Sequence, residues 1–169
     1  QGGGHAADGY ARASGKVGVC MGTSGPGATN LVTAIGTAQL DSVPMVALTG
    51  NVPGVLIGKD AFQEIDITGI TLPMTKHNYL VRNADDIPRV VAEAFYIAKT
   101  GRPGPVHIDF TKDALQQETL AEHPSLDEVI AGLPGFRPNF EGHPKQLKTA
   151  AREIAAAKRP LILAGHGVV

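Results

Sequence analysis

Residues 22–30 read GTSGPGATN, the densest run of ligand-competent residue types in the chain. An apolar stretch precedes it and a helical pattern follows, so it is predicted to join a strand to a helix N-terminus. Unpaired backbone N–H groups and the positive end of the helix dipole collect there, which suits an anion or a polar ligand edge. Glycines let a backbone come close to such a ligand. The run is not GxGxxG, and no lysine follows it as in a Walker loop. A tight βα turn with no ligand explains the same residues, with Pro26 fixing the turn and Asn30 a polar residue of the first helical turn.

A second glycine turn closes the sequence. PLILAGHGVV (160–169) is read as a strand entering a turn, where Gly165 and Gly167 leave room for a pyrophosphate or adenosine moiety. His5, His77, His107, His123, His143 and His166 show neither HxxxH nor HxH spacing, which argues against a protein-ligated metal. Cys20 is the sole cysteine, so an internal disulfide is excluded.

These loops need a scaffold. A short helix is predicted from His5 to Ala13, stopped at Gly15, then a strand at 16–21, a helix from Ala28 to Leu40 and a strand at 44–49. Strand, glycine loop, helix and strand form a βαβ unit, which implies a parallel sheet. Residues 51–60 are read as a loop and 61–70 as irregular or weakly helical. Strands are expected at 78–81 and 106–110, around a helix that begins at Asp85-Asp86 and admits Pro88 in its first turn. The apolar face of that helix uses Ile87, Val90, Val91, Ala94, Phe95 and Ala98. A Pro- and Gly-rich stretch of low periodicity follows, then a helix over 144–158 and a strand from Pro160 to Ala164. The expected class is α/β, a doubly wound parallel sheet followed by the first helix and strand of a second α/β domain. The boundaries are 1–121, a linker at 122–143, and 144–169.

Hydrophobic residues make up 43% of the 169, which is enough for a sizeable core. A net charge of −1 with no long basic run argues against nucleic acid or an anionic membrane as partner. No apolar run reaches the ~20 residues of a membrane span. The opening at Gln1 without Met, and the end at Val168-Val169 inside a motif, read as a segment of a longer protein.

GHAADGYARASGKVGVCMGTSGPGATNLVTAIGTAQLDSVPMVALTGNVP resembles the pyrimidine-binding domain of thiamine-diphosphate enzymes. GKDAFQEIDITGITLPMTKHNYLV resembles the acetohydroxyacid (acetolactate) synthases in particular, and TGRPGPVHIDFTKDA closes that domain in the same family. The resemblance implies thiamine diphosphate as cofactor. Mg²⁺ would be bound by a domain outside this chain, and FAD would have a structural role. Pro26 and Asn30 match the loop lining the pyrimidine. Gln63 matches a glutamine reaching the cofactor and substrate region, Phe62 a pocket wall, and Lys112 a basic residue at the access channel. Ser42 and Arg102 match flavin-touching positions, and the Gly165-His166-Gly167 turn lies near flavin.

The glutamate that activates the cofactor would stand immediately before Gln1, and the tartronate-semialdehyde carboligase has an apolar residue there. The implied reaction decarboxylates pyruvate and joins the two-carbon unit to a second 2-keto acid, giving acetolactate or acetohydroxybutyrate for branched-chain amino acids. A homodimer or homotetramer is implied, with a small regulatory subunit possible. The location would be the cytoplasm, or a plastid or mitochondrion in a eukaryote. The segment alone is expected to be inactive.

Other readings fit the same residues. Ser42 can be an ordinary loop hydroxyl, Phe62 a core residue and Gln63 an exposed polar one. Arg102 can pair with Asp109, and Lys112 with Asp113. The whole can be a tartronate-semialdehyde synthase, a flavin-free catabolic acetolactate synthase, or a nucleotide-binding homologue without catalysis.

Overall fold

The computed structural model describes residues 1–168, and the side chain of His166 lies outside the described residues. Two compact units divide at 136/137.

In the first unit, β1 (Gly18–Gly22), β2 (Met45–Asn51), β3 (His77–Val81) and β4 (Pro105–Thr111) form one parallel sheet in the order β1-β2-β4-β3. Side chains alternate across it, because a strand has a period of two. On one face Val46, Val106, Ile108 and Phe110 pack under α5 (Ile87–Lys99). On the other, Cys20, Met45 and Ala47 pack under α1 (Gly2–Ser14) and α3 (Val32–Leu40). The α/β class expected from the sequence is what the chain forms.

The elements stop for local reasons. Helix α1 ends at Gly15, whose φ of 68° is left-handed and whose N–H bonds back to Ala11 O at 2.9 Å. Pro88 sits in the first turn of α5, where its missing N–H costs nothing. The expected single helix over 28–40 is two: α2 (Pro26–Thr29) and α3, parted at Asn30 and Leu31. The Gly–Pro turn fixes the first of these, so the apolar periodicity spans a break that it does not reveal.

Between 122 and 143, expected as a linker, α7 (Leu126–Gly132) forms on a Ser125–Glu128 capping box and buries Val129. Two short helices complete this unit, α4 (Ile67–Thr71) and α6 (Lys112–Gln116).

One face of β1 is bare. Val19 is 47% and Met21 76% exposed, although both lie on the α5 face of a sheet type that is usually covered on both sides. The second unit holds α8 (Pro144–Ala156), as expected, and a single helical turn at His166–Val168. The strand expected from Pro160 to Ala164 does not form. A strand exists through its ladder partners, and none among the described residues pairs with it.

A basic side chain from another element closes α5. Lys76 Nζ donates to Ile97 O and to Thr100 O (2.7 Å), and lies 5.3 Å from the Phe136 ring centroid. This places a cation at the negative end of the helix dipole and satisfies carbonyls that lack a helical partner. Lys76→Met keeps the stem and removes the ammonium. It is expected to lower the unfolding free energy by about 1–2 kcal/mol in urea titration. An unchanged midpoint would show that water caps α5 equally well.

Candidate functional site

All four strands point the same way, so their carboxyl ends share one edge, where open α/β sheets bind ligands. Three segments meet there: the Gly22–Asn30 loop after β1, the end of β2, and the segment 52–66 that carries Phe62 and Gln63.

The meeting point is Gly25. Its φ of 58° and ψ of −117° match the glycine-favouring first central position of a type II′ turn. A Cβ there would stand 2.6 Å from Gln63 O and 3.0 Å from Gln63 Cα. The close approach that glycine permits is therefore of one loop to another. Gln63 itself has φ 58°, a left-handed backbone unusual for a non-glycine residue. Asn30 Nδ2 donates to Pro26 O at 2.8 Å and ties off the first helical turn.

Carboxylates hold the 52–66 segment. Glu64 accepts from the backbone N–H of Gly58 and of Ala61 (2.8 Å), and these bonds hold its carboxyl below the usual range. Asp113 Oδ1 accepts from Gly54 N at 3.1 Å, and Asp66 caps α4 through Gly69 N at 2.8 Å. A 350 Å³ crevice opens between Asn51, Ile57, Gly58, Glu64, Asp66 and Leu80. In the second unit a 520 Å³ depression runs along α8, lined by His143, Lys145 and Gln146.

The remaining sequence-derived residues divide between the two edges of the sheet. Phe62 is 88% exposed and thus no core residue. Lys112 begins α6 directly after β4, at the carboxyl edge, and is exposed. It does not pair with Asp113, whose carboxylate bonds to Gly54 N instead.

Ser42 and Arg102 precede β2 and β4, so they stand at the opposite, amino edge. Arg102 Nε donates to Ser42 Oγ at 2.8 Å, and its Nη2 reaches Gln39 O (3.4 Å) and Leu40 O (3.3 Å), which closes α3. The alternative of Arg102 pairing with Asp109 fails, because Asp109 is buried inside the sheet. In the second unit, a Cβ on Gly165 or Gly167 would meet nothing within 4 Å.

The sequence reading missed a buried polar group beneath the crevice. Thr49, Thr71, His107 and Asp109 are each at most 2% exposed. His107 Nε2 lies 2.7 Å from Thr49 Oγ1, and its Nδ1 2.9 Å from Thr71 Oγ1. Thr49 donates to Asp109 Oδ1 and Asn51 Nδ2 to Asp109 Oδ2, both at 2.6 Å. Burial pushes the His107 imidazole down to about 4 and the Asp109 carboxyl upward, the latter against the two donors. The available signal was polar residues at alternate positions of apolar strands: Thr49 and Asn51, His107 and Asp109. Cys20 is buried, and its thiol is pushed up to about 11, so it is not a ready nucleophile. Among the described residues no group of three His, Cys, Asp or Glu could hold a metal, and no helix is long and apolar enough to cross a membrane.

Residues 1–70 match the family described as thiamine pyrophosphate enzyme, N-terminal TPP binding domain. The whole chain is 58% identical over 169 residues to the acetolactate synthase of Mycobacterium bovis, of which it spans 27%. It is 60% identical over 166 residues, or 98% of its length, to a probable acetolactate synthase large subunit of Methanococcus aeolicus, spanning 27% of it. To the acetolactate synthase large subunit of Corynebacterium glutamicum it is 55% identical over 170 aligned positions, covering all of this chain and 26% of that one. The chain thus spans about a quarter of the length of the curated relatives it matches.

Two outcomes follow from this geometry. Gly25→Ala brings a Cβ against Gln63 in a backbone region that alanine resists, and should cost about 1–3 kcal/mol in chemical denaturation. Wild-type stability would show that the two loops are not packed.

The second concerns acid. An unfolded histidine takes up its proton near pH 6.5 and the folded His107 near 4, so the unfolded chain binds more protons in between. Stability must therefore fall as pH drops through that window, by up to about 3 kcal/mol. The raised carboxyl of Asp109 works in the opposite sense, because the folded state takes up that proton first. His107→Gln should flatten the slope between pH 6.5 and 4 in urea titrations. An equally steep slope would assign the acid sensitivity to other groups.

Proposed function

The chain belongs to the acetolactate synthase family of thiamine-pyrophosphate enzymes, and on that premise we propose that its carboxyl-edge crevice receives the aminopyrimidine of thiamine diphosphate. The observation that supports this most is the packing of the Gly22–Asn30 loop against the Gln63 backbone at Gly25. That loop has no charged side chain, and the crevice contributes the acidic Glu64 and Asp66. Such a donor and acceptor set suits an uncharged, amino-bearing heterocycle and opposes a diphosphate.

When bound, thiamine diphosphate supplies the electron sink on which a 2-keto acid loses CO₂. This chain's residues hold and orient it. Pro26 and Asn30 shape the wall against the pyrimidine, and Gln63 presents its amide from a strained backbone. Phe62 offers an apolar wall to the substrate methyl group. Lys112 places a cation at the channel for the keto-acid carboxylate. The diphosphate and its Mg²⁺ belong to a domain outside this chain. Ser42 and Arg102 contact FAD in this reading, with Arg102 offering the cation; the Gly165-His166-Gly167 turn is a separate flavin contact within the second unit. The pyrimidine domain spans 1–121, with 122–143 leading to a central domain whose first part is 144–169.

The full-length protein joins pyruvate, with loss of CO₂, to a second 2-keto acid. The products are acetolactate or acetohydroxybutyrate, precursors of branched-chain amino acids. The relatives named large subunits support a small regulatory partner, and a homodimer or homotetramer belongs to the same reading. The cytoplasm is the proposed location.

The test is acetolactate formation by the full-length protein with each cofactor omitted in turn. Turnover that requires thiamine diphosphate and Mg²⁺ is expected, with Gln63→Ala lowering kcat/KM roughly 10- to 100-fold. Arg102→Ala should release FAD while thiamine diphosphate stays bound. Full activity without flavin would move the reading to a catabolic synthase, and absence of thiamine-dependent pyruvate turnover would overturn it.

A further inference from the structure

A line of buried side chains with a half-buried asparagine at each end runs across the sheet from β3 to the crevice. Asn78 Nδ2 lies 3.3 Å from Thr71 Oγ1, Thr71 Oγ1 2.9 Å from His107 Nδ1, and His107 Nε2 2.7 Å from Thr49 Oγ1. Thr49 then meets Asp109, which also holds Asn51, both at 2.6 Å. Asn51 Oδ1 accepts from Val52 N at 2.7 Å, where β2 gives way to the segment bearing Phe62 and Gln63.

Each hydroxyl has one proton, so the direction of the line can be counted. If Asp109 is a carboxylate, it accepts from both Thr49 and Asn51. Thr49 must then accept from His107, which puts the imidazole proton on Nε2. The bare Nδ1 accepts from Thr71, and Thr71 accepts from the Asn78 amide. Every donor finds an acceptor.

A protonated Asp109 would reverse the line. Thr49 would donate to Nε2, the proton would sit on Nδ1, and Thr71 would turn to Ile67 O at 2.9 Å. The short 2.6 Å contact from Thr49 is the length of a hydroxyl bond to a charged oxygen. The other carboxylate facing this region, Asp66, is committed to Thr68 Oγ1 and Gly69 N.

We infer that Asp109 is a positioning residue that fixes Asn51 and the departure of the Gln63-bearing segment, with His107 held as the neutral Nε2–H tautomer to aim Thr49 at it. The tautomer stands on the hydrogen-bond count with Asp109 as a carboxylate, whereas the effect on turnover rests on the thiamine-enzyme reading.

The test has two arms. In the ¹⁵N-histidine-labelled full-length protein, long-range ¹H–¹⁵N spectra should show His107 protonated at Nε2. Asp109→Asn forces the switch. Its oxygen must face the Asn51 amide and its NH₂ must face Thr49, so Thr49 donates to Nε2 and the proton moves to Nδ1. A wild-type Nδ1–H form, or an unchanged tautomer in Asp109→Asn, would overturn the line. If that variant does not fold, Thr49→Val removes the link, and His107 should lose its single tautomer. A retained pure Nε2–H form would count against the proposal.

In the full-length enzyme, Asp109→Asn should lower kcat roughly 10-fold while thiamine diphosphate content stays at the wild-type level. A switched tautomer with unchanged kcat would overturn the positioning role. A wild-type enzyme with no thiamine-dependent turnover would defeat the functional reading and leave the tautomer result standing.

Discussion

A carboxylate buried in the middle of a sheet must find hydrogen-bond donors, and the arrangement around Asp109 follows from that need. It lies in β4 with no accessible surface, on the face opposite Val106, Ile108 and Phe110. Leaving such a charge unpaired would cost several kcal/mol. Thr49 and Asn51 of the neighbouring strand meet it because the parallel register sets Thr49 beside Asp109. Once Thr49 and Asn51 are committed, His107, Thr71 and the turn at Val52 are committed with them. A local electrostatic demand thus becomes a constraint on where the loop after β2 begins.

The loops at the carboxyl edge show the same economy. Glu64, Asp66 and Asp113 each accept backbone N–H groups, so a long connection is held by a few carboxylates and little apolar burial. This leaves Phe62 and Gln63 displayed at the surface on a firm base. The amino edge is built differently. There Arg102 and Lys76 reach across to the C-terminal ends of α3 and α5, where cations complement the helix dipoles. Arg102 is tied into the fold through Ser42, and so offers a fixed cation.

Much of the scaffold was legible in the sequence because short apolar runs such as VGVCM and MVALT, bounded by turn residues, suit strands, although Val19 and Met21 of the first run are exposed. The stop at Gly15 and the start at Pro88 follow from single-residue backbone rules. The Gly22–Asn30 loop was visible from its composition. The contact between Gly25 and Gln63 was not, since 38 residues separate them and glycine only permits the approach. The line through His107 was hidden for the same reason: its partners lie 36 and 58 residues away. The break at Asn30–Leu31 escaped a periodicity that continues across it. Residues 160–164 have strand composition, yet a strand needs neighbours that these described residues do not supply.

In the proposed function the Gly22–Asn30 loop and the 51–66 segment form one receptacle. Hydrogen exchange on the full-length protein, with and without thiamine diphosphate and Mg²⁺, tests this most directly. Coincident protection of residues 22–30 and 51–66 on cofactor binding is the expected result. Protection confined to other parts of the protein, with both segments exchanging as before, would contradict it.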